Sequence, residues 1–305
     1  MASTAASGTA GAVVLRHAAI QATYAPSVYN TQPWILRLTP DDLAVHADPG
    51  RWLMSLDRMG RQLLISCGCA LFNVRTSVAA DGWQADIRRT PANLPDETLI
   101  ATATVSSTGT GVADPVLAEL NPWVQAGPDD SVRRSPADPM YLSERLRAAA
   151  VASGAELIPA TGPTSRTALQ QAIDHAEQVY RPDQDARTAR WSSAGVLGSS
   201  EWSNSPVQSE AYLLTSVLVT PGDAAEDWIT AGEAMQRMLL ELARSGYAAD
   251  LCLPAIEVAA VRARIQDIIG SAASPQAVLQ IGPADQASPT PQRRLLLDVI
   301  RESAD

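Results

Sequence analysis

Three polar side chains, Ser27, Asn30 and Gln32, stand between Pro26 and Pro33 in the stretch Ala25-Pro-Ser-Val-Tyr-Asn-Thr-Gln-Pro-Trp34. A proline pushes the residue before it out of the helical region, so this segment is pinned at both ends. Inside it the backbone N–H groups have no helix or sheet partner by default, and the side chains add hydroxyl and amide groups. Such a loop can present donors to a flat polar ligand with carbonyl and ring-nitrogen edges. It also suits a turn in which Ser and Asn satisfy their own backbone.

The basic residues are the second source of chemistry. The chain has no lysine, so all 23 of its basic residues are arginine. Schiff-base, pyridoxal-phosphate and phosphate-loop lysine chemistry are thereby excluded, and any phosphate falls to guanidinium, backbone or hydroxyl groups. Paired arginines occur at Arg88-Arg89, Arg133-Arg134 and Arg293-Arg294. The second pair, with Ser135, follows Asp129-Asp130, which allows a local salt-bridged turn. The three histidines, His17, His46 and His175, include no two at metal-ligand spacing. That argues against a histidine metal centre or a Ser-His-Asp triad. Three cysteines, two of them at Cys67 and Cys69, make no disulfide framework and fit a reducing, cytoplasmic setting.

These groups need elements to position them. Ala12 to Tyr24 reads as a helix, ended by Pro26. Trp34–Leu38 and Leu43–Ala47 read as a hairpin. Gly60 to Asp81 carries Leu63, Leu64, Cys67, Leu71, Val74 and Val78 at a helical period, which predicts a long, mostly buried helix stopped by Gly82. Strands follow at Trp83–Ile87 and Leu99–Val105. After composition breaks at Ser106–Gly111, made of Ser, Thr and Gly, and around Gln125–Asp130, helices are expected at Tyr141–Ser153 and Ser165–Tyr180, and strands at Glu156–Ala160 and Tyr212–Thr220. Asp183 to Pro206, with Trp191 and Trp202 among Ser and Gly, reads as a lid-like loop. A helix at Ala259–Ile269 and a strand at Ala277–Ile281 precede a final apolar stretch, Leu295–Ile300.

One pattern recurs. Offset by 164 residues, Ile65–Asp86 and Ile229–Asp250 share seven of 22 positions, including Gly68 with Gly232 and Gly82 with Gly246. The chain therefore reads as an α+β protein of two related halves, 11–125 and 126–305, after a disordered 1–10. With 46% apolar and 18% charged residues and no run of eighteen apolar ones, no membrane span is expected. A net charge of -10 with no basic stripe excludes a general nucleic-acid partner.

Ala25-Pro26-Ser27, Asn30 and Gln32-Pro33-Trp34 resemble the flavin-contacting motif of the nitroreductase superfamily. Gly60 to Gly68 with Ala70-Leu71-Phe72-Asn73, Asp227-Trp228, Ala231-Gly232-Glu233-Ala234, Pro275 to Leu279 and Thr290-Pro291 with its arginine pair are similar to the actinobacterial Acg-like branch. The resemblance implies a nitroreductase-like fold with the usual two subunits fused into one chain, hence a monomeric pseudo-dimer. It implies FMN bound between the halves, NAD(P)H as cosubstrate and a small electron-poor molecule as substrate, with hydride passing through flavin N5. Ser27, Asn30 and Gln32 would face the flavin, and Arg133, Arg134, Ser135 with Arg293 or Arg294 its phosphate. No side chain would act as acid or base at the hydride step, and backbone near Leu251–Leu253 would meet N5. Cys252, within that segment, reads as a packing residue. Two further readings are a flavin-sequestering protein with a closed lid and a flavin-free scaffold reused on a specialised metabolite. The phosphate side departs from the family pattern at Pro136–Met140, Gln280, Gly282-Pro283-Ala284 and Gln292.

Overall fold

Apolar residues at helical period form the two longest buried elements, and glycine stops them. The computed structural model describes residues 2–90, 94, 97–107, 113–125, 138–192, 212–252, 254–284 and 292–302. The first helix, α1, spans Ala2–Ala22. It starts well before the expected Ala12, so Ala2–Ala10 is helical backbone rather than unstructured chain. That segment is rich in alanine and free of proline, which favours helix.

The hairpin follows as expected, β1 at Trp34–Leu38 and β2 at Asp42–Ala47. Helix α2 runs Arg61–Ala80 and is buried along nearly its whole length. Asp81 and Gly82 close it, Gly82 at φ 81, a left-handed conformation that glycine adopts without steric cost. Strands β3 (Trp83–Arg89) and β4 (Leu99–Ser107) complete the first set, with a short α3 at Pro115–Ala118.

The second set begins with α4 (Pro139–Val151) and β5 (Glu156–Pro159). Helix α5 spans Pro163–Ser192. The first part of the expected lid-like loop, 183–192, is thus helical, because that stretch lacks glycine and contains Ala186, Ala189 and two arginines. The remainder of that loop, with Trp202, lies outside the described residues. Then come β6 (Leu214–Thr220), α6 (Ala225–Arg244), β7 (Tyr247–Leu251), α7 (Pro254–Glu257), α8 (Ala259–Ile269) and β8 (Ser274–Pro283). The tail adds α9 (Leu296–Val299) and β9 (Ile300–Glu302).

Two sheets repeat one connectivity. The first is ordered β3-β4-β2-β1-β9 and the second β7-β8-β6-β5, with every pair among the equivalent four strands antiparallel. Even the irregularity recurs. The β2–β4 pairing slips after Val45–Ala101 and bypasses Ile100, and the β6–β8 pairing slips after Leu218–Ala277 and bypasses Gln276. The fifth strand of the first sheet, β9, comes from the C-terminal tail and pairs with β1 in parallel.

The helices α2 and α6 pack against each other between these sheets. They cross at Gly68 and Gly232: a Cβ on Gly68 would lie 2.9 Å from the Gly232 Cα, and one on Gly232 2.8 Å from the Gly68 Cα. Side chains of any size are excluded there, so the backbones meet directly. Cys69 uses the approach to donate its thiol to the Gly232 carbonyl oxygen at 3.2 Å. By length and composition α2 could cross a membrane, yet 89% of that window is buried inside the fold.

Candidate functional site

The connection between the first helix and first strand of each set differs. In the second set Ala152–Ala155 suffices between α4 and β5; in the first, Thr23–Pro33 forms a long polar loop between α1 and β1. Only one of the two equivalent positions therefore carries the Ser27/Asn30/Gln32 array.

That loop is strained. Tyr29, Asn30 and Gln32 have φ of 46, 53 and 49°, and they are the non-glycine residues with positive φ among those described. Such conformations cost of order 1–3 kcal/mol each and persist only where the surroundings over-determine them. Here the surroundings do so. Ser27 Oγ accepts from the Gln32 N–H at 2.9 Å, Thr31 Oγ1 donates to the Val28 carbonyl at 2.8 Å, and Arg51 donates to the Thr31 carbonyl at 2.7 Å. From α2, Ser66 Oγ accepts from the Val28 N–H at 3.3 Å. Ser27 is buried and turned back into the loop, in the self-capping manner.

The amides of Asn30 and Gln32 reach the C-terminal tail. Asn30 Nδ2 donates to the Gln292 carbonyl at 2.9 Å and Gln32 Nε2 to the same oxygen at 3.2 Å. In return the Arg294 N–H donates to Gln32 Oε1 at 2.8 Å. Arg293 donates to the carbonyls of Tyr24 (2.8 Å) and Ala25 (3.2 Å), just past the end of α1, and to Asn30 Oδ1 at 3.3 Å. A cation is favoured there because the C-terminal carbonyls of a helix carry partial negative charge. Arg294 spans the other side, donating to the carbonyls of Gln32 (2.9 Å) and Trp34 (3.2 Å) and pairing with Asp48 at 3.4 Å.

The structure thus brings Ser27, Asn30, Gln32, Arg293 and Arg294 into one cluster. Arg133, Arg134 and Ser135 lie outside the described residues. Both arginines of the cluster keep a buried Nε without a partner. Desolvation lowers the Arg293 pKa to about 10, and no carboxylate pairs with it among the described residues.

A second polar set, not anticipated from sequence, adjoins the loop through α2. Ser66 Oγ donates to the Gln62 carbonyl at 2.6 Å, and Gln62 Nε2 donates to Glu257 Oε1 at 2.7 Å. Glu257 ends α7, just beyond the Leu251–Leu253 segment, of which Leu253 lies outside the described residues. Asp57 Oδ2 accepts the Leu63 N–H at 2.9 Å and so caps the start of α2, while its Oδ1 and the Gln62 Oε1 are buried without partners. Burial first, and then the neighbouring Asp57 charge, raise Glu257 to about 7; burial raises Asp57 to about 6 against the pull of the α2 N–H groups. Residue spacing could not reveal this pair, since its members lie 200 positions apart in the sequence.

Beside it Arg61, buried at the start of α2, pairs with Asp223 and Gln276 from the second set and stacks on Trp228 at 4.9 Å. Gln276 is the residue bypassed by the β6–β8 slip, which frees its side chain to reach Arg61. Desolvation raises Asp223, but hydrogen bonds from Arg61 and Trp228 outweigh it and hold the carboxyl at about 2. Cys252 is half-buried and donates to Gln280 Oε1 at 3.5 Å, a packing contact in the second sheet; Gln280 in turn donates to Gln170 at 2.7 Å. Among the described residues no cluster of His, Cys, Asp and Glu could hold a metal ion.

No protein-family model matches the chain. It is 30% identical to "Uncharacterized protein Rv3127" of Mycobacterium tuberculosis, over 94% of this chain and 92% of that protein. It is 27% identical to "Putative NAD(P)H nitroreductase Rv3131" of the same organism, over 90% of this chain and 87% of that one. To "Putative NAD(P)H nitroreductase acg" it is 25% identical over 95% and 96% of the respective lengths. The chain belongs to this nitroreductase-like, Acg-like family.

Proposed function

We propose that this protein is a flavin-dependent NAD(P)H oxidoreductase in which two nitroreductase-like halves, fused in one chain, hold a single FMN at their seam. The observation that carries the reading is the strained loop: three left-handed non-glycine residues, braced by α2 and by the tail of the opposite half, at the position where the family resemblance expects flavin contacts. Strain of this kind clusters at ligand sites because a fixed donor array needs no reordering on binding. The fusion is supported by the repeated strand order, the matched slips at Ile100 and Gln276, and the reciprocal approach of Gly68 and Gly232.

On this reading Asn30, Gln32 and the loop backbone hold the polar edge of the ring. Arg133, Arg134 and Ser135 take its phosphate, because the N–H groups of Arg293 and Arg294 are directed largely at protein oxygens. A bound flavin supplies two-electron chemistry between a nicotinamide and a small electron-poor substrate. When protonated, the buried carboxyl pair Asp57 and Glu257 adds no charge of its own beside Arg61 at the start of α2, which lowers the cost of keeping that corner away from water. The fused seam buries the surface that two subunits would otherwise share, so the chain is expected to be a monomer.

A flavin-free scaffold is the second reading. It is favoured by one fact: the Asn30 and Gln32 amides already have the Gln292 carbonyl as a partner. Absorbance separates the two. Purified protein that is yellow, or becomes so with FMN, and bleaches anaerobically with NADPH supports the oxidoreductase; yellow protein that does not bleach indicates sequestration, and colourless protein that takes up no FMN indicates the flavin-free scaffold.

A further inference from the structure

The family resemblance assigns the C-terminal arginines to a cofactor phosphate, but their contacts in this chain describe a different task. Arg293 ties together three points of the loop's entry, the carbonyls of Tyr24 and Ala25 and the Asn30 side chain. Arg294 ties together its exit, through Gln32 by backbone and side chain, Trp34 and Asp48. Between them the Gln292 carbonyl receives both loop amides. These contacts fall on the left-handed residues Asn30 and Gln32 themselves and on the backbone to either side of the Tyr29–Gln32 turn.

A guanidinium presents five N–H groups in a rigid fork, so one spent on helix-end and loop carbonyls has few donors left for an external anion. Arg293 Nη1 is shared between two oxygens and Nη2 is engaged, while Nε is buried. We infer that Arg293 and Arg294 are positioning residues: they clamp the Ser27–Gln32 loop in its strained, ligand-competent shape, and they are not ligands of a phosphate group. The clamp also explains why the tail must cross to the first sheet. Strand β9 pairs with β1 directly after the loop, and its register on Leu36–Leu38 fixes where Gln292–Arg294 lie.

The inference rests on the flavin reading for the ligand but not for the clamp, and a pair of measurements on the full chain separates them. Arg293→Ala and Arg293→Lys are compared with wild type by hydrogen exchange over residues 24–34 and by titration with FMN and with riboflavin, which lacks the phosphate. Clamping predicts faster exchange confined to 24–34 in the alanine variant, partial rescue by lysine, and affinities for FMN and riboflavin that fall by the same factor, about tenfold or more. A role on phosphate predicts unchanged exchange and a loss for FMN alone, and that result overturns the proposal. Exchange that rises evenly across the whole chain also overturns it, since the residue would then serve only general stability. If Arg293→Ala does not fold, Arg294→Gln gives the same comparison with a neutral side chain that retains hydrogen-bonding groups. If wild type binds neither flavin, the functional reading fails, while the exchange measurement still decides the clamp.

Discussion

Gly68 and Gly232 face each other where α2 crosses α6, each filling the space that a Cβ on the other would need. The contact is reciprocal: the Gly68 Cβ would collide with the Ile229 carbonyl and the Gly232 Cβ with the Ile65 carbonyl, and both pairs are related by the same offset of 164 residues. Self-complementary contact of this kind is what a two-fold interface produces. In this molecule it lies within one chain.

Substituting either glycine by alanine therefore forces the central helices apart. Gly68→Ala and Gly232→Ala are expected to cost about 3 kcal/mol or more, or to prevent folding. Gly82→Ala, where nothing lies within 4 Å but φ is 81°, is expected to cost only about 1–2 kcal/mol. Urea denaturation of the three variants checks the order.

The Arg61–Asp223 pair joins the start of α2 to the segment just before α6, with little access to water on the arginine side. Removing the carboxylate leaves the buried Arg61 guanidinium without its counter-charge, so Asp223→Asn is expected to destabilise by about 3 kcal/mol at neutral pH. Asp223 is held at about 2, below its unfolded value. Its contribution is thus present at neutral pH and is lost only as pH falls below about 4 toward 2. An acid titration of stability in wild type and Asp223→Asn measures this, the variant lacking that acid limb.

Asp57 and Glu257 act with the opposite sign. Their folded-state pKa values are raised, to about 6 and about 7, so the folded chain holds protons that the unfolded chain releases. Stability from this pair is present below the unfolded values near 4 and falls as pH rises toward 7. Glu257→Gln, which keeps an acceptor for Gln62, is expected to flatten the fall between pH 5 and 8 and to gain roughly 1–3 kcal/mol at pH 8. Thermal melts across that range decide it; a variant as pH-sensitive as wild type would remove the pair as the cause.

Much of this was legible in the residues. The hairpin at Trp34–Leu38, the buried helix ending at Gly82 and the helix at Ala259–Ile269 follow from periodicity and breakers, which are local signals. The repeat at offset 164 was visible because the close helix crossing demands glycine at both Gly68 and Gly232. What could not be read was set by long-range geometry. The direction of the Arg293 and Arg294 guanidinium groups depends on β9 docking beside β1, and the Asp57–Glu257 pair depends on α7 meeting the start of α2. The lid-like reading of 183–206 gave way over 183–192 because a polar, alanine-containing stretch can be helix as readily as loop.

If the fusion reading is right, the chain is a monomer in solution. Light scattering at micromolar concentration is expected to return the 32.2 kDa of one chain. A stable dimer would mean that the seam between the two sets of elements is not the counterpart of a subunit interface.

The most direct test of the whole account is the stoichiometry of flavin binding. Because only the Thr23–Pro33 connection carries the polar loop and its counterpart Ala152–Ala155 does not, FMN titrated into the purified chain is expected to saturate at one per chain, and Asn30→Ala with Gln32→Ala to weaken it at least about tenfold. Saturation at two per chain, or no binding at all, would contradict it.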